Sequence, residues 1–133
     1  MPRKIGSLLL GIGLAALINL PALASPRCVT NPQPPQLKDE FINWTMTAAP
    51  GSECLQGLRW SYMRIDQLAI LKPPAKGQLS IVGYGFRYIA DSTSREPDNF
   101  VVMIIGKNRH DAGATVLDVA VKPPGTMVSQ LHQ

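Results

Sequence analysis

Lys72-Pro-Pro-Ala-Lys-Gly-Gln-Leu-Ser-Ile-Val-Gly-Tyr-Gly-Phe-Arg-Tyr-Ile89 is the stretch on which the fold turns. Pro73 and Pro74 lack the N–H that a sheet ladder needs, so they hold an extended connection, and Ala75-Lys-Gly77 turns the chain into residues 78–82. Gly83 and Tyr84 suit the two-residue loop of a tight hairpin, with glycine at the first central position as a type II′ turn requires. Val82 then pairs with Gly85, Ile81 falls opposite Phe86, and Leu79 falls opposite Tyr88. Four large apolar or aromatic side chains share one face, and Ser80 and Arg87 share the other. A slip of one residue would send the apolar groups of the two strands to opposite faces, so the pattern specifies its own register.

Working outward, Asp98-Asn-Phe100 opens an apolar run, and the pieces combine. Pro73-Pro74, Gly77, Leu79, Phe86, Tyr88, Asp98 and Phe100 resemble the cadherin-like, immunoglobulin-like β-sandwich repeats of bacterial exported proteins. In those repeats a proline turn and a glycine precede a strand, an aromatic-x-Tyr strand follows, and Asp-x-Phe opens the next. The resemblance spans roughly residues 65–121. It departs from the pattern where Ser92-Thr-Ser-Arg-Glu-Pro97 replaces the glycine usual before the Asp. It implies an all-β fold, a single immunoglobulin-like (cadherin-like) antiparallel β-sandwich of about seven strands, and a structural or adhesive role rather than an enzyme.

Residues 1–24 read as a cleaved signal peptide: Arg3 and Lys4, an apolar run from Ile5 to Leu20, then Ala22-Leu-Ala24 before Ser25. The expected organisation is a signal peptide at 1–24, a Pro-rich connector at 25–38, the sandwich at 39–122 and a flexible tail at 123–133. No stable membrane insertion is expected after cleavage, and a periplasmic or secreted location follows. Of the net charge of +4, two units belong to Arg3 and Lys4, and the remainder is scattered. That argues against nucleic acid, which selects a clustered basic face. Cys28 and Cys54 are the only cysteines. In an oxidising compartment they are expected to form a disulfide, closing a loop of about 27 residues worth roughly 3–4 kcal/mol.

Residues 31–35 read as a polyproline-like connector. Ile42, Trp44 and Met46 alternate with Asn43, Thr45 and Thr47 as a half-buried strand. Residues 55–71 carry both periods. Leu58, Tyr62, Ile65 and Ala69 recur at helical spacing, whereas a strand from Gly57 would put Leu68 and Ile70 inward; the resemblance favours the strand. Residues 100–105 are apolar on both faces, as in a central strand. Residues 106–114 are the expected polar loop, and Leu117, Val119 and Val121 then point inward with Asp118 outward.

The chemistry is sparse. His110 lies in a loop and His132 in the tail, so a nucleophilic triad has little to rest on, and no catalytic residue is assigned. No cofactor is expected; calcium is a minor alternative, through Asp91, Glu96 and Asp98 on a short loop of hard oxygen ligands. The partner-contact candidates are Arg87 on the outer face of the hairpin and Lys107, Arg109 and His110 in the loop beyond residue 105. The expected function is a non-catalytic binding or structural module, contacting an envelope or extracellular macromolecule. A calcium- or small-ligand-binding module is the alternative, and a small hydrolase around His110 stands behind both.

Overall fold

The computed structural model describes residues 28–125; the signal peptide expected at 1–24 and residues 126–133 of the tail lie outside the described residues. Eight strands follow in order: β1 (Cys28–Asn31), β2 (Glu40–Ala48), β3 (Glu53–Gly57), β4 (Arg64–Lys72), β5 (Gln78–Val82), β6 (Gly85–Ile89), β7 (Asp98–Lys107) and β8 (Ala112–Lys122). They form two sheets, β1-β2-β8-β7-β4 and β3-β6-β5. All pairs are antiparallel except β2 with β8, which run parallel.

The two sheets pack face to face because each carries one apolar face that water disfavours. Trp44 and Met46 of β2, Phe100, Val102 and Ile104 of β7, and Leu117 and Val119 of β8 share one core with Cys54, Phe86 and Tyr88 of the smaller sheet. Phe100 sits at its centre. It meets Phe86 edge-on at 5.1 Å and stacks on Tyr88 at 5.5 Å. The Cys28–Cys54 disulfide joins the outermost strand of the large sheet to β3 of the small one, across 5.7 Å between Cα atoms. It staples one side of the sandwich.

The β5–β6 hairpin has the expected register, Val82 with Gly85, Ile81 with Phe86 and Leu79 with Tyr88. Gly83 takes φ +56° while Tyr84 stays out of the left-handed region, as a type II′ loop demands. Gly83→Ala meets open space but an unfavourable φ. It should lower stability by about 1 kcal/mol in urea unfolding, with an unchanged slope.

Three details correct the sequence expectations. Gly57 ends a strand rather than starting one: β3 runs over Glu53–Gly57, and β4 begins only at Arg64. Within β4 the register shifts between Ile65 and Gln67 and again between Ile70 and Lys72. Such bulges break the period-2 pattern, so Ile65 is buried while Ile70, on the sheet edge, stays 36% exposed. The loop after β7 is also shorter than residues 106–114, because pairing continues to Lys107 opposite Ala112. Gly106 belongs to β7, where an added Cβ would come within 2.0 Å of the Arg64 carbonyl oxygen.

Candidate functional site

The strand directions sort the loops. Residues 32–39, 58–63, 83–84 and 108–111 gather at one end of the sandwich, here the distal end. Residues 49–52, 73–77 and 90–97 gather at the other. Cys28 pairs with Ala48, and β8 ends at Lys122, so both ends of the described chain leave from that second end.

At the distal end the Pro-rich segment is strapped down. Prolines offer no N–H for a ladder, so the carbonyls of this segment need side-chain donors instead. The Trp44 indole donates to the Gln33 carbonyl at 3.0 Å, and the Tyr62 hydroxyl donates to that of Pro35 at 2.7 Å. The Asn108 side-chain amide donates to the Gln36 carbonyl. Burial, then the nearby charge of Glu40, pushes the Tyr62 hydroxyl above its ordinary pKa, which keeps that donor protonated. Leu37 is fully buried, and its N–H donates to Thr115 Oγ1 at 3.0 Å and to Glu40 Oε2 at 3.2 Å. Asp39 Oδ1 accepts from the Ala114 N–H at 3.1 Å.

These bonds hold an unusual backbone. Leu37 and Asp39 both adopt left-handed φ, 56° and 59°, on either side of Lys38. For residues with a Cβ that conformation costs about 1–2 kcal/mol each, and it persists only where the surroundings over-determine it. Lys38 is therefore displayed at the apex of a rigid, strained turn. Opposite it, the tip of the β7–β8 hairpin is closed by Asn108, whose Oδ1 accepts from the N–H groups of His110 and Asp111, both at 2.7 Å.

Between the strap and the tip lies an open groove of about 380 Å³, lined by Pro34, Gln36, Lys38, Tyr62, Asn108, Arg109, His110 and Asp111. Tyr62 and Asn108 are committed to holding it together. Lys38 and Arg109 have neither ion-pair nor hydrogen-bond partners for their side chains among the described residues. Beside it, the 58–63 loop bonds the hairpin through Leu58 N–H to the Tyr84 carbonyl at 2.9 Å. On the hairpin side a second groove of about 320 Å³ is lined in part by Arg59, Leu55, Val82 and Tyr84. The last three are exposed by 67%, 49% and 59%.

Arg109 and His110 of the contact candidates thus share the groove. Lys107 stands apart, opposite Arg64 in the β4–β7 register, and Arg87 lies on the outer face of the small sheet in an ion pair with Glu53. Pro34, Gln36, Lys38 and Tyr62 had no signal in sequence beyond the proline run.

The acidic residues serve the opposite end. Asp98 is buried and accepts from the N–H groups of Ala75 at 2.8 Å, Gly77 at 2.8 Å, Asn99 at 2.9 Å and Lys76, and from the Tyr88 hydroxyl at 2.8 Å. Burial alone would raise its pKa, but the donors from Gly77, Tyr88, Asn99 and Lys76 outweigh that and hold it below the ordinary carboxylate value. Asp91 Oδ1 accepts from the N–H and hydroxyl of Thr93, which lower its pKa, and Glu96 pairs with Lys76 at 3.1 Å. Two clefts lie beside them, one of about 20 Å³ that includes Glu96 in its lining and a more open one of about 330 Å³ lined in part by Lys76, Gly77, Asp91 and Ser92. Among the described residues no three His, Cys, Asp or Glu side chains gather as a metal would need, and no helix is long and apolar enough to cross a membrane. No family model matches the chain, and no curated protein is significantly similar to it.

Proposed function

We infer that the chain is an exported, non-catalytic interaction module, built on an immunoglobulin-like sandwich, that holds a partner macromolecule of the cell envelope or exterior at its distal end. One observation carries this reading: a groove whose floor is locked by hydrogen bonds, yet whose cationic rim side chains hold nothing among the described residues. Binding sites are commonly loops positioned by a rigid scaffold, with backbone strain maintained where a group must be presented. Both features meet at Lys38.

The strand order supports the immunoglobulin-like part. Counted from β2, the second, fifth and fourth strands form one sheet and the seventh, sixth and third lie together in the other, as in an immunoglobulin sandwich, while the first joins the larger sheet, parallel to the seventh, instead of the smaller one. Against that frame β1 is an addition, fastened by the disulfide. Export is supported by the basic and apolar start of the chain and by a paired cysteine set that suits an oxidising compartment. Both described chain ends leave from the far side, so a tether there would not obstruct the groove.

The test compares partners retained by the tagged protein and by a Lys38→Ala, Arg109→Ala double variant, each produced in the native host. The expected result is an envelope or extracellular partner recovered with the wild type and reduced about tenfold with the variant, since removing unshielded charges from an interface mainly weakens complementarity. Equal recovery by both proteins would contradict the reading.

A further inference from the structure

We propose that the distal end recognises an acidic, extended polypeptide segment carrying apolar side chains; this rests on the interaction reading above and names the chemistry of the partner.

The first ground is the hydrogen-bond inventory. Lys38 offers an ammonium with three donors and Arg109 a guanidinium with five, and neither spends one within the described residues. Asp111 is the only carboxylate among the described residues of the groove lining. Of the two other acidic groups nearby, Glu40 is bonded internally by Leu37 and Thr115, and Asp39 accepts the Ala114 N–H through one of its oxygens. Donors therefore outnumber acceptors at the rim, and a ligand rich in carboxylates satisfies them. Guanidinium–carboxylate pairing supplies geometry as well as charge.

Apolar surface is the second ground. The Pro34 and Tyr62 rings flank the cations of the first groove. Beyond the 58–63 loop the second groove repeats the combination: exposed Leu55, Val82 and Tyr84 beside Arg59, which likewise has no partner among the described residues. Aliphatic side chains such as Leu55 and Val82 gain by covering hydrocarbon, which a polypeptide presents and a polyhydroxylated sugar largely does not. Two neighbouring clefts, each with an apolar wall and at least one cation unpaired among the described residues, match a chain in which acidic and apolar residues recur.

The experiment selects a random dodecapeptide library on the immobilised wild-type protein and measures each enriched peptide against the wild type and the Lys38→Ala, Arg109→Ala variant. Matching thermal melts establish first that the variant is folded. The expected result is a consensus with net negative charge and at least one apolar position, binding the wild type about tenfold more tightly than the variant and weakening with added salt. A neutral or basic consensus, no enrichment, or equal binding by the two proteins overturns the proposal. Displacement of the peptide by the acidic polysaccharide alginate, or by inorganic phosphate, at concentrations below the peptide's own Kd also overturns it, by assigning the site to a glycan or a simple anion. The two levels separate cleanly. A host partner lost with the double variant, alongside a non-acidic consensus, leaves the interaction reading standing and removes only this chemistry.

Discussion

Asp98→Ala is expected to cost about 4 kcal/mol of folding stability, because it strands several buried or half-buried donors at once. The carboxylate gathers the N–H groups of Ala75, Lys76 and Gly77, which form the turn after Pro73 and Pro74, and the Tyr88 hydroxyl from β6. Its own strand is β7, so one side chain ties the β4–β5 connection and the small sheet to the large one. Asp98→Asn keeps an acceptor but loses the charge and should cost about half as much. The pH dependence follows from the same bonds. The folded pKa lies below the unfolded value, so the stabilisation is fully present above about pH 4 and disappears as the pH falls through the folded pKa. Urea unfolding of wild type and Asp98→Asn across the acid range checks this: the wild type should lose more stability on acidification than the variant.

Removing the Cys28–Cys54 bond by a double alanine substitution is expected to cost roughly 3–4 kcal/mol, the loop-closure entropy returned to the unfolded chain. The loss should have a local signature as well. β1 has only four residues and pairs with β2 alone. Without the bond its backbone amides should exchange with solvent far faster than those of β7 and β8, whose ladders lie inside the sheet. Hydrogen exchange with mass spectrometry would show this directly. Unchanged protection of β1 would mean that strand pairing alone holds it.

The parts of this fold legible in sequence are those where local chemistry leaves one solution. Gly83 at a II′ position dictates the pairing of Val82 with Gly85, and every later pair follows from the alternation. Trp44 and Met46, and Leu117 and Val119, likewise declare their faces. β3 hides because Leu55 points outward and Cys54 is the one fully buried side chain in a strand that ends at glycine. β4 is blurred by two bulges that shift its phase.

The groove was less legible still. His110 and Arg109 stand out as a polar tip, but their counterpart is Lys38, placed by left-handed Leu37 and Asp39, residue types that do not announce such a backbone. A proline run reads as a tether; here its carbonyls are held by Trp44, Tyr62 and Asn108, from three places far apart in the chain. Asp98 reads naturally as an oxygen ligand for a cation. Its real neighbours are amides that lie more than twenty positions upstream, which only the folded chain brings to it.

The most direct test of the central claim places a photoactivatable cross-linking amino acid at Arg109 and, in a separate variant, at Ser94 on the opposite end, each expressed in the native host. Irradiation should join the Arg109 variant to a discrete partner polypeptide, and leave the Ser94 variant unjoined. Cross-links from Ser94 to the same partner, or none from Arg109, would contradict the distal-end account.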